Sequence, residues 1–168
     1  MNWDAIGAIG ELIGALAVLI TLIYLAAQIK QNTASVRSSN AATVQINVQQ
    51  LAKEVISDRV FGEILIRALA GTEKLDPEEK IAAYAWFFTL LKNGELAYAH
   101  YVNGDLDEEY WHGFLNFFRA YWLTPGFKEY WNDRKAAFIP KFQLSVGTWM
   151  ADAATQVTRA DKMYPDRS

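Results

Sequence analysis

Apolar residues run almost unbroken over residues 5–27, thin to a narrow stripe over residues 28–56, and then return in clusters spaced by threes and fours. The first run, AIGAIGELIGALAVLITLIYLAA, contains one ionisable residue, Glu11. As a helix it extends about 34 Å, slightly more than the ~30 Å hydrocarbon core of a bilayer. Trp3 precedes it, Tyr24 lies near its far end, and Gln28, Lys30 and Gln31 return the chain to water. This predicts a transmembrane helix over residues 5–27, with residues 1–4 as an outer flank. A cleaved signal peptide would carry a basic start, which Met1-Asn2-Trp3-Asp4 lacks, and Ala26 and Ala27 do not complete an A-x-A site. A buried helix of a soluble protein would be shorter or show a wetter face. Asp4 stands before the span, whereas Lys30 and Arg37 follow it, so the positive-inside rule places the N-terminus outside and the remainder in the cytoplasm.

Within the span, Gly7, Gly10, Glu11 and Gly14 share one helical sector, which continues through Val18, Thr21, Leu25 and Gln28. The opposite surface, Leu12, Leu16, Leu19, Ile20 and Ile23, suits lipid. Small residues let membrane helices approach closely, and Gly10-x-x-x-Gly14 has the spacing for it, so Gly7, Gly10 and Gly14 are candidate helix-packing positions and self-association is expected. A carboxylate at membrane depth is costly unless it is protonated, paired or wet. Glu11 therefore has three readings: reaching the outer interface, hydrogen-bonding across a helix–helix contact, or joining Asp4 and Thr21 in a cation-selective oligomeric pore.

Residues 28–56 contain neither proline nor glycine, so the helix is expected to continue as a stalk. Ile29, Val36, Val44, Val48, Leu51 and Val55 form its stripe, with Thr33 and Asn40 upon it. That stripe packs either on the following domain or on other copies, with Thr33 and Asn40 then setting register.

Residues 57–156 read as an aromatic-rich helical domain and residues 157–168 as a tail. Ser57 or Asp58 caps a helix ending before Gly71, and Asp76-Pro77-Glu78-Glu79 opens one that runs to Asn103-Gly104. Asp105 or Asp107 caps the next, Thr124-Pro125 opens another, and Pro140 begins the last, ending near residue 154. No stretch alternates with period two, so the fold class is all-α: one N-terminal transmembrane helix continuing into a helical cytoplasmic domain.

Composition narrows the function more by exclusion than by assignment. The 168 residues are 52% hydrophobic and 14% aromatic, with 16 Lys+Arg against 19 Asp+Glu. The resulting net charge of −3 argues against nucleic acid as a partner. The absence of cysteine removes thiol chemistry and the common structural zinc sites. Sixteen aromatic residues between positions 84 and 131 exceed what a small core needs, which leaves some for a subunit interface, a lipid-facing belt or an apolar pocket for a small ligand. His100 and His112 read as isolated, residues 103–109 as capping rather than a calcium loop, and Glu63 with Arg67, and Glu129 with Asp133 and Arg134, as solvent-face charges. No catalytic, cofactor or metal-binding motif stands out, so none is assigned and an enzyme is the weakest reading.

The runs W-D-A-I-G-A-I-G-E at residues 3–11 and T-L-I-Y-L-A-A-Q-I-K-Q-N-T at residues 21–33 resemble those of a group of short uncharacterised bacterial membrane proteins, as do L-D-E-E-Y-W at residues 106–111 and P-G-F-K-E-Y-W at residues 125–131. The resemblance implies a bacterial single-pass protein, here of the inner membrane, and brings no activity with it. The expectation is a homo-oligomer whose helical domain serves assembly or ligand binding, with an oligomeric cation channel and a membrane-tethered enzyme as alternatives.

Overall fold

The computed structural model describes residues 3–163, with side chains described except at residue 5 and residues 156–163; Met1, Asn2 and residues 164–168, parts of the expected flank and tail, lie outside the described residues. Six α-helices follow in order: α1 (Trp3–Ser57), α2 (Arg59–Ala70), α3 (Pro77–Val102), α4 (Glu108–Trp122), α5 (Pro125–Arg134) and α6 (Pro140–Met163), with a 3-10 turn at Lys135–Ala137. No strand occurs among the described residues, and the all-α expectation holds.

The chain divides into two units, residues 1–39 and 40–168. The first is helix alone. Every side chain described in it is exposed, including Trp3 (70%), Leu12 (63%) and Ile20 (66%). A continuous apolar surface of this kind demands an apolar solvent, and its length matches a bilayer. It is a single membrane-spanning helix followed by a packed helical domain.

In the second unit, side-chain caps set the starts of α2 and α3. The Asp58 carboxylate accepts the Phe61 N–H at 3.1 Å and caps α2. Asp76 accepts from Glu79 N at 2.8 Å while Glu79 accepts from Asp76 N at 3.3 Å, a reciprocal capping box ahead of Pro77. Gly104, at φ +75°, turns the chain after α3 in a conformation that side-chain-bearing residues rarely adopt. Asp107 and Thr124 occupy the N-cap positions of α4 and α5 without a side-chain cap hydrogen bond, the Thr124 hydroxyl donating back to the Tyr121 carbonyl at 2.7 Å, and Pro125 opens α5. Helix α6 runs past the end expected near residue 154, through residues placed in the tail, to Met163.

Helix α3 is the central element, packed against α2, α4 and α5; α2 also meets α5, α4 also meets α6, and the 3-10 turn joins α5 to α6. Ala83, Phe87, Leu90 and Leu91 of α3 are fully buried. Most of the aromatic excess fills this core: Trp86, Trp111, Phe118, Trp122, Phe127 and Trp131 are buried, whereas Phe88 and Tyr110 remain exposed. The stalk stripe divides. Val44 and Leu51 are buried and Val48 and Val55 half-buried within the second unit, while Ile29 and Val36 are exposed. Asn40 donates from Nδ2 to the Asp105 carbonyl at 3.0 Å, which ties α1 to the turn before α4.

Candidate functional site

Two features offer binding chemistry, one in each unit. On α1, Asp4, Gly7, Gly10, Glu11, Gly14 and Thr21 are all exposed, and their spacings, threes with one step of one from Gly10 to Glu11 and one of seven from Gly14 to Thr21, keep them within one sector of the helix. A Cβ added at Gly7, Gly10 or Gly14 would meet nothing within 4 Å. The notch formed by these glycines is therefore open. The Thr21 hydroxyl donates to the Ala17 carbonyl of its own helix at 2.8 Å, which fixes its hydrogen and leaves its oxygen as an acceptor. Glu11 lies between Gly10 and Gly14 with no basic side chain anywhere in the span.

The second feature is a groove of about 450 Å³ between α1 and α4. Val44 and Val48 line one wall and Tyr110, Phe114 and Phe117 the other, with Gln45 and Glu109 supplying polar groups. A further recess of about 620 Å³ shares Phe117 and extends past Val55 and Ile56 to Ile66, Leu69 and Trp86. Large rings beneath small α1 side chains keep the helix backbones apart, and that separation leaves the space. Its volume and apolar lining lie in the range of small-molecule sites. Trp86 is buried, and its Nε1 has no hydrogen-bond partner among the described residues. The aromatic domain thus contains an apolar recess of the kind the sequence left open.

Three of the charged residues read as solvent-facing, Arg67, Glu129 and Asp133, instead bind residues outside their own helices, whereas Glu63 stays on the solvent face of α2. Glu129 of α5 accepts both the backbone N–H (3.0 Å) and the hydroxyl (2.5 Å) of buried Thr72. Asp133 accepts the Tyr84 hydroxyl at 2.9 Å. Arg67 does not pair along its own helix with Glu63 but forks onto Glu79 at 2.9 and 2.5 Å, while Glu63 accepts from Arg59 at 3.1 Å. That fork holds the Glu79 carboxyl below its ordinary value. Burial pushes the Tyr130 hydroxyl up to about 12 and raises Tyr84 as well. Lys92 donates to Glu95 at 2.7 Å and to the Ala137 carbonyl at 2.9 Å, and Glu95 accepts the Ile139 N–H at 2.6 Å. These residues gave no sequence signal beyond the i, i+3 spacing of Lys92 and Glu95. His112 is not isolated: Glu108, four residues earlier, lies 3.3 Å from its Nε2. That carboxylate is visible in the sequence at the helical spacing, and the pair is exposed.

Comparison with protein-family models, with curated proteins and with solved structures finds no match. The functional reading therefore rests on the open glycine–glutamate sector of the membrane helix and on the recesses of the aromatic domain.

Proposed function

We propose that this chain is a homo-oligomeric single-pass protein of a bacterial inner membrane, with its N-terminus outside and its helical domain in the cytoplasm, where that domain serves assembly or binds a small apolar ligand. The observation that carries the proposal is the open notch at Gly7, Gly10 and Gly14 with Glu11 inside the same sector. Close approach of a second helix there would bring Glu11 against backbone and side-chain acceptors, so that a protonated carboxyl could hydrogen-bond instead of standing in hydrocarbon. Lys30 and Arg37 support the orientation, and the likeness to short bacterial membrane proteins supports the location. The test is the mass of the protein in lipid nanodiscs. A defined oligomer is expected, and Gly10→Leu with Gly14→Leu should reduce it to monomer; a parent protein that is strictly monomeric would refute the proposal.

A second reading follows from the placement of Asp4 and Glu11 one heptad apart in that sector. In a ring of copies they would form two acidic tiers, with Thr21 oxygens deeper, and pass cations. Proteoliposome flux separates the readings: cation preference lost in Glu11→Gln supports the channel, and oligomers without flux support assembly alone.

A further inference from the structure

Helices α3 and α5 and the 3-10 turn after α5 border an open recess of about 620 Å³, distinct from the groove beside α1. Tyr84 and buried Tyr130 form its floor. Ile81, 71% exposed, and Phe88, 42% exposed, supply an apolar rim. Lys80 and Arg134 line the same recess, with Lys80 Nζ 5.3 Å from the centre of the Tyr84 ring. Among the described residues, carboxylates do not line the recess: Glu129 is half-buried against Thr72, while Asp133, exposed, accepts the Tyr84 hydroxyl, and Glu78 is exposed beside Pro77. Lys80, Arg134 and the adjacent exposed Lys135 make no ion pair among the described residues.

Exposed aliphatic and aromatic side chains beside cations without ion-pair partners are the surface chemistry of an interfacial membrane contact, in which the apolar groups enter the acyl boundary and the cations meet headgroup phosphates. We propose that this recess docks the helical domain on an anionic lipid surface. Charge complementarity selects that occupant: a second copy presenting the same recess would bring like charges together, and a neutral bilayer would leave the cations without partners. The proposal is independent of the number of copies in the membrane, because the contact belongs to each domain by itself.

The test holds the full-length protein in nanodiscs of phosphatidylcholine and offers it vesicles of phosphatidylcholine with or without phosphatidylglycerol. Co-flotation is expected only with the anionic vesicles, and it should weaken as salt rises. Neutralising Lys80→Gln, Arg134→Gln or Lys135→Gln should lower partitioning about fivefold each, and the triple variant about a hundredfold. Ile81→Ser, at an exposed position, should weaken binding without removing its lipid preference. Far-UV circular dichroism confirms that each variant keeps its helices. Inorganic phosphate at matched ionic strength should compete no better than chloride; specific displacement by phosphate would mark a free-anion site and overturn the proposal. Equal flotation with neutral vesicles, no flotation with anionic ones, or full binding by the triple variant would each overturn it too.

Discussion

Replacing Gly126 with alanine should force α2 and α5 apart. A Cβ at that position would lie 1.7 Å from the Ala68 carbonyl oxygen and 2.8 Å from its carbon, whereas ordinary contact begins near 3.4 Å. Both obstructing atoms are helix backbone and cannot swing aside as a side-chain tip would. In a close-packed interior α5 must therefore retreat by roughly 1.5 Å. Phe127, Tyr130 and Trp131 move with it, and so does the Glu129 carboxylate that holds Thr72. Helix propensity alone favours alanine by at most about 1 kcal/mol. Overpacking costs about 1–3 kcal/mol and a weakened hydrogen bond to a charged group about 1.5–3 kcal/mol. The balance is a loss of about 3 kcal/mol, or about 10 °C in Tm for a domain of this size. Gly147, an exposed position within α6 where a Cβ meets nothing within 4 Å, is the internal comparison. Alanine there should raise Tm by a few degrees. Thermal melts followed by far-UV ellipticity in one detergent measure both. A Gly126→Ala protein melting at or above the parent would refute the close-approach argument.

Two further perturbations address the charged joints. Glu95→Ala removes the acceptor for both Ile139 N–H and Lys92 and should cost about 2–3 kcal/mol in chemical denaturation, with Glu95→Gln losing less because its amide oxygen still accepts from Ile139. Stability should also fall at both pH extremes, and pH-resolved melts locate the windows. The Tyr130 hydroxyl is raised in the folded state, so its contribution is complete below the ordinary value of 10.0 and is lost as pH climbs toward about 12; Tyr130→Phe should remove part of that alkaline slope. Glu79 is lowered, so its contribution is present above the ordinary 4.5 and disappears as pH falls through the folded value, a slope that Glu79→Gln should flatten.

Helix starts were legible because their chemistry is local: the Asp58 cap, the Asp76–Glu79 capping box ahead of Pro77, and Pro125 at the first position of α5 each act within four residues of themselves. The membrane span was legible because hydrocarbon thickness is a length that composition can match. What the sequence hid depends on partners distant along the chain. Asn40 looks like a coiled-coil register residue until Asp105, 65 residues away, takes its amide. Glu129 looks like a surface charge until α5 carries it to Thr72, 57 residues away. The stalk stripe is chemically uniform, so nothing local marks where burial begins near Ala41. The acidic and small residues of the membrane sector were visible at once, but whether another helix faces them is not encoded in one chain's pattern. The recess beside α3 is hidden in the sequence because Arg134 and Tyr130 reach Lys80, Ile81 and Phe88, which α3 already aligns, only when α5 folds back.

The indole rings also have an optical consequence. Trp122 and Trp149 lie nearly parallel, 10° apart with centres 5.7 Å from each other, and Trp111 sits 5.4 Å from Trp149. Rings this close couple their excited states, so the near-ultraviolet circular dichroism of the protein should be dominated by one asymmetric cluster spanning α4 and α6. Of the six tryptophans, only Trp3 lies outside the helical domain. Loosening of side-chain packing in that domain would quench the signal while the backbone stays helical. Events confined to the lipid would leave it almost unchanged. The chain thus carries a native chromophore that distinguishes events along the membrane span from events in the helical domain.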